Sequence, residues 1–177
     1  MEIRQFREED AEQYRALRLE ALRNEPEAFA SSYEENRRKP LAETVKRIRA
    51  QSENNISLGA FLDKKCVGMV ALIRKDRKKT AHKADLMSMY VSPDARGKGI
   101  GKALVKEVIA WGRQMEGLEQ IQLTVVSTNE TARNLYLSAG FSKYGTEPMA
   151  MKIGESYYDE DWMTLFLTAI GGEQIST

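Results

Sequence analysis

The spacing of apolar positions changes along this chain, and the changes divide helices from strands. Glu2 to Phe6 alternates briefly and predicts a strand. A helical spacing then runs to about Arg23 with Tyr14, Leu17, Ala21 and Leu22 on one face, and Asp10 followed by Gln13 has the form of a capping box. Asn24-Glu25-Pro26 breaks this helix, and Pro26 to Ala30 predicts one short further turn. Ser31 to Lys39 is polar, and a second helix starting at Pro40 carries Leu41, Val45 and Ile48.

From Asn54 the period falls to two. Ile56, Leu58, Ala60 and Leu62 alternate, Asp63-Lys64-Lys65 turns, and Cys66 to Arg74 forms the returning strand. Ala84 to Val91 is a further strand, which Pro93 ends because it has no N–H for a sheet ladder. Helical spacing returns at Ile100, Ala103, Leu104, Val108, Trp111 and Met115, and period two at Ile121, Leu123 and Val125. Ser127 with Glu130 reads as a second capping box, opening a helix that Gly140 closes. Two more strands follow, Phe141 to about Lys152 and about Asp159 to Leu167, joined at Gly154-Glu155-Ser156. The pattern predicts an α/β fold with a mixed sheet of about seven strands and roughly four helices.

Length and composition fit that picture. A chain of 177 residues, 42% hydrophobic, suits one globular domain over 1–177 with a frayed tail at about 168–177. No apolar run approaches the ~20 residues that span a bilayer. A formal net charge of +1 requires neither nucleic acid nor an anionic membrane, and the basic stretch Arg74 to Lys83 lacks the interleaved aromatics of a nucleic-acid surface. Cys66 is the only cysteine, which excludes an internal disulfide, and the Met-Glu-Ile-Arg start does not resemble a signal peptide; both favour the cytoplasm. With His82 the only histidine, a zinc site or a cysteine–histidine pair is poorly supported, so no metal is expected. The chemistry is left to carboxylates, tyrosines, hydroxyls and backbone.

The strongest chemical signal is the strand-to-helix turn Arg96-Gly97-Lys98-Gly99-Ile100-Gly101-Lys102. A helix N-terminus offers unpaired N–H groups and the positive end of the helix dipole, and glycines let a bulky anion reach them. A pyrophosphate suits this, with Arg96, Lys98 and Lys102 adding charge. A Walker loop ending at Gly101-Lys102 would need glycine in place of Arg96 and Ser or Thr in place of Ala103, and a dinucleotide fingerprint needs another glycine interval. Neither fits.

The Arg-x-x-Gly-x-Gly signature resembles the acetyl-CoA pyrophosphate loop of the GCN5-related N-acetyltransferases, the GNAT superfamily. Asn129-x-x-Ala132-x-x-x-Tyr136 followed by Gly140-Phe141 resembles the second CoA segment of that family, in the same order and at its spacing. Leu19 to Leu22 and Pro26 to Phe29 add a weak likeness to its small-molecule and antibiotic-type members. The resemblance implies a mostly antiparallel sheet with helices on both faces and one splayed parallel pair of strands that holds the cofactor. It implies backbone contacts to acetyl-CoA from Met89, Tyr90 and Val91, pyrophosphate contacts from Arg96 to Lys102, a contact from Asn129, and Tyr136 near the thioester sulfur.

The implied function is acetyl transfer from acetyl-CoA, a cosubstrate, to an amine by direct attack. An alkylammonium with a pKa of ~10.4 must lose a proton before attack, and the departing thiolate can use one. Tyr136 is the candidate acid. Asp85 stands eleven residues before Arg96, the offset of the general-base glutamate in the histone-modifying members; being one methylene shorter, it favours a water relay. Glu34, Glu35 and water are the other candidates for base. Glu155, Asp159, Glu160 and Asp161 concentrate acid in the hairpin that borders the acceptor site in that family. A small-molecule amine is the expected acceptor, and a homodimer is compatible with the sequence. A protein N-terminus or lysine as acceptor, a non-catalytic CoA sensor and a nucleotide-binding module remain the alternatives.

Overall fold

The middle strands are apolar on both faces, so the sheet must be covered on both. The computed structural model describes residues 1–167; the tail expected over 168–177 lies outside them. Seven strands, β1 (Glu2–Gln5), β2 (Asn55–Leu62), β3 (Lys65–Arg74), β4 (Lys83–Val91), β5 (Gln120–Val126), β6 (Ser142–Ile153) and β7 (Ser156–Phe166), form one sheet in the order β1-β2-β3-β4-β5-β7-β6. Every neighbouring pair is antiparallel except β4 with β5. The long crossover between those two carries helix α4 (Ile100–Gln114), as a parallel connection requires.

One core joins the sheet to α4 through Leu104, Val105, Val108 and Ile109; Val105 and Ile109 widen the stripe that the sequence spacing marks out. On the other face α1 (Ala11–Asn24) and α3 (Leu41–Arg49) enclose Phe6, Phe61, Met69 and Tyr90. All four residues expected on the inner face of α1 are buried. The β2–β3 hairpin closes through Asp63 and Lys64, both at positive φ (47° and 67°), the geometry that matches strand twist in a two-residue turn.

Three local readings are corrected. A fifth helix, α2 (Tyr33–Arg37), lies within the polar stretch, held by reciprocal bonds between Ser32 and Glu35; it buries no residue, so no apolar stripe reveals it. Asp10 does not cap α1 but accepts from Arg4 (2.6 and 2.9 Å) and from the Arg7 N–H (2.7 Å), while Gln13 accepts from the Cys66 N–H (2.8 Å) and ties α1 to β3. Ser127 likewise gives its hydroxyl to Asp161 (2.7 Å), and Asn129 caps α5 (Glu130–Ser138).

Candidate active site

Strands β4 and β5 pair only at Lys83↔Gln120, Ala84↔Ile121 and Asp85↔Gln122, and then part. Beyond the last pair β4 carries a bulge: Met69 faces Tyr90 and Ala71 faces Met87, so Ser88 and Met89 share Val70 as partner, and Ser88 takes φ 56°. An extra residue bends its strand and raises the local twist. The edge of β4 beyond Asp85 is therefore free of β5. Between the strands lies a cleft of about 480 Å³, with Met87, Ser88 and Met89 on one wall and Thr124, Val125 and Val126 on the other. Arg18 and Phe29 from the N-terminal segment and Met151 and Glu160 from the C-terminal hairpin close it.

The second part of the candidate site is the glycine loop, which follows β4 and opens α4. Gly97 (φ 75°) and Gly99 (φ 76°) occupy the left-handed region, where a side chain is strained, and a Cβ at either would meet nothing within 4 Å. Gly99 is the N-cap of α4, and the N–H groups of Gly97 to Lys102 donate to no acceptor among the described residues. Six adjacent unpaired donors at a helix N-terminus, with open space beside Gly97 and Gly99, fit a pyrophosphate. Ile100 is buried in the core, and a Cβ on Gly101 would stand 3.4 Å from Leu135 and Met89, so the first turn of α4 packs tightly on β4 and α5. Arg96 is already engaged: its Nε donates to the Val91 carbonyl (3.0 Å), its Nη2 pairs with Glu25, and its guanidinium lies over the Tyr90 ring. It braces the loop against the end of α1. Among the described residues the free positive charge comes from Lys102 and Lys98, the latter bonded only to the Asp94 carbonyl (3.2 Å).

Asn129, the N-cap of α5, and Tyr136 within it line the cleft. Asn129 spends its Oδ1 on the Ala132 N–H (3.0 Å), leaving its amide nitrogen uncommitted. Tyr136 is buried with its ring edge-on to Phe141 at 5.8 Å, and burial pushes its phenol well above the ordinary value. Tyr90, whose backbone belongs to the free edge of β4, turns its side chain to the opposite face, where it donates to Glu20 (3.1 Å) and accepts from Asn24 (3.1 Å).

The carboxylates divide sharply. Asp85 pairs with Lys75 at 2.9 Å and is not among the cleft-lining residues. Glu34 pairs with Arg37 (2.8 Å), and Glu35 is bound to Ser32. Glu160, which the sequence marks only as part of an acidic run, does line the cleft. Burial raises its pKa, the Thr124 hydroxyl works against this, and Glu147 adds to it. Its neighbour Asp161 faces the other side of the sheet, as strand alternation demands. That carboxylate is 1% exposed; it accepts from Ser127 (2.7 Å) and Thr146 (2.9 Å) and pairs with Lys143 (2.9 Å), while Arg133 Nε stands 2.9 Å from its second oxygen. Burial acts to raise its pKa, but hydrogen bonds from Lys143, Ser127 and Thr146 outweigh this and hold it at about 2. The knot fastens α5, and so Asn129 and Tyr136, to the C-terminal hairpin.

Cys66 is buried, and burial pushes its thiol up to about 12, far from a nucleophile's range. Among the described residues no three His, Cys, Asp or Glu side chains gather as a metal site, and no helix is long and apolar enough to cross a membrane.

Comparison with known proteins bears on this geometry. The family model described as Acetyltransferase (GNAT) family matches residues 6–141. The UPF0157 protein YqkA of Bacillus subtilis (strain 168) is 30% identical over 139 residues, 71% of this chain, but the match spans only 38% of that protein's own length. A GNAT-family acetyltransferase from Streptococcus pneumoniae superposes with a TM-score of 0.84 at 27% identity, covering 93% of this chain and 98% of that one. YncA from Salmonella typhimurium, solved with acetyl-CoA, shares the fold with a TM-score of 0.85 at 19% identity and 99% coverage of both chains.

Proposed function

The chain belongs to the acetyltransferase (GNAT) family, and on that premise we propose that it transfers an acetyl group from acetyl-CoA to the primary amine of a small molecule. The observation that carries the reading is the splayed β4–β5 pair: Tyr136 and Glu160 line the cleft between the two strands, and the donor-rich loop Gly97–Lys102 follows directly on the end of β4. Acetyl-CoA supplies the activated acyl group. Lys98, Lys102 and the loop N–H groups hold its pyrophosphate; backbone groups of Met89, Tyr90 and Val91 on the free edge of β4, with the Asn129 amide, align the rest.

Glu160 is the base in this reading. It takes a proton from the acceptor ammonium, and the freed amine attacks the thioester carbonyl: the C–N bond forms, the C–S bond breaks, and the nitrogen sheds its second proton. Tyr136, kept protonated by burial, donates to the departing thiolate. Free CoA, as its thiol, and an N-acetylated amine result, with one proton released to solvent. Asp85, committed to Lys75, acts only at a distance, through water. The enclosure of the cleft by segments from both ends of the chain supports a small acceptor.

A thiol-release assay over an amine panel, run beside thermal shifts with acetyl-CoA, CoA, ATP and NAD, tests the proposal. Stabilisation by acetyl-CoA and CoA together with amine-dependent thiol release is expected. Stabilisation without release under any amine would make the protein a CoA sensor, and stabilisation by ATP or NAD alone a nucleotide-binding module.

A further inference from the structure

We infer that the acceptor amine carries an oxoanion, a carboxylate or a phosphonate-type group, in the same small molecule, and that Arg18 receives it. The inference rests on the acetyl-transfer reading and names the substrate class for it.

Arg18 reaches the cleft from α1 and lines it beside Ser88, the bulge residue of β4. Its Nη2 donates to Ser31 Oγ at 2.8 Å, its Nη1 lies 3.4 Å from Ser88 Oγ, and its guanidinium carbon stands 4.8 Å above the Phe29 ring. Its Nε is buried and has no hydrogen-bond partner among the described residues. None of the ion pairs among the described residues includes it. The nearby acids are otherwise occupied: Glu25 pairs with Arg96, and Glu20 accepts from Tyr90. Glu160 lines the same cleft without pairing with Arg18.

A guanidinium keeps its charge at neutral pH even though burial lowers its pKa, with Tyr14 working against this and Arg47 adding to it. A half-buried cation whose Nε is shut off from water and whose other nitrogens bond only to hydroxyls is poorly compensated without a counterion. A ligand oxoanion would compensate it. The phosphates of CoA do not serve, because they belong at Gly97–Lys102; from Ser88 to Val91 alone the strand advances three residues, ~10 Å, away from Arg18. The pantetheine arm between them carries no charge. The anion therefore comes from the acceptor, whose amine points to Glu160 and the thioester while its acidic group meets Arg18. A polyamine would set like charge against Arg18.

Matched acceptors in the thiol-release assay test this: an amino acid against its amide, an aminoalkylphosphonate against the plain alkylamine of equal length, and spermidine as polycation. In the native chain the oxoanionic member of a pair is expected to show a kcat/KM higher by ~10- to 100-fold, the range of a hydrogen bond to a charged group. The carboxylate and phosphonate arms identify which oxoanion fits. Arg18→Gln should erase the preference by raising KM for the oxoanionic acceptor while kcat and the KM for acetyl-CoA hold, and Arg18→Lys should restore part of it. A preference of the native chain for amide, alkylamine or spermidine overturns the inference without recourse to any variant, as does an equal loss on both members of a pair in Arg18→Gln. If acetyl-CoA binds and no amine of any class is acetylated, the transfer reading itself fails and this inference with it.

Discussion

Tyr136 and Glu160 line one cleft, and burial raises the pKa of both, yet their tasks are opposite. Tyr136 must hold a proton until the thiolate leaves, and Glu160 must lack one when the ammonium arrives. Tyr136→Phe removes the hydroxyl and keeps the ring against Phe141, so kcat should fall ~10²-fold, at the low end for general acid catalysis, with acetyl-CoA affinity and Tm little altered. A near-native kcat, with the chemical step shown to limit turnover, would reduce Tyr136 to packing. Glu160 accepts a proton only when ionised, so activity should decline as pH falls through its pKa, at a pH above the ordinary glutamate value of ~4.3. Glu160→Gln should remove that acid limb and Asp85→Asn should keep it; the reverse outcome in pH–rate profiles would return the role of base to Asp85. The sequence pattern points to Tyr136 because its partners, Asn129 and Gly140-Phe141, are local. Glu160 is legible only as one acid among four, since what distinguishes it is the pairing of β7 with β5, a contact across more than thirty residues (Val126↔Glu160).

Local signals serve well for elements whose causes are local, and fail where a distant partner competes. The glycine loop is of the first kind: Gly99 at φ 76° starts α4, and Gly99→Val both strains the backbone and places a branched side chain in the space above the donors. Acetyl-CoA binding should then be lost by calorimetry while the circular dichroism spectrum is kept; a folded variant that binds as tightly as the native chain would refute the loop assignment. The Ser127 capping pattern is of the second kind, because Asp161 takes the hydroxyl. The bulge at Ser88 leaves no trace in composition: serine is unremarkable in a strand, and its positive φ is imposed by the surrounding sheet.

The Asp161 knot has a pH signature. A carboxylate whose folded pKa is depressed contributes its stability fully above the ordinary value of ~3.9 and loses it as pH falls through about 2. Asp161→Asn should lower unfolding free energy by about 3 kcal/mol at neutral pH and flatten its decline over that acid range, measured by urea titration. An unchanged midpoint would mean that Ser127, Lys143 and Arg133 find equal partners elsewhere.

At the scale of the whole molecule, the sheet brings together parts of the chain that the sequence separates widely. Its strand order sets β4 beside β5, and the cleft between them is walled by α1 and the Phe29 segment on one side and by β6 and β7 on the other. The element order apart from α2, the mixed sheet of seven strands and the helices on both faces were legible from periodicity and from the resemblance carried by two motifs. The acceptor side was not, because Arg18, Ser88 and Glu160 meet only in the folded chain. The most direct test of the account is an amide NMR titration with acetyl-CoA. The N–H signals of Gly97 to Lys102 should shift together with those of Met89, Val126 and Asn129, tracing one ligand from the loop to the cleft, while ATP leaves the latter three unmoved. Shifts confined to other parts of the molecule, or identical patterns from acetyl-CoA and ATP, would contradict it.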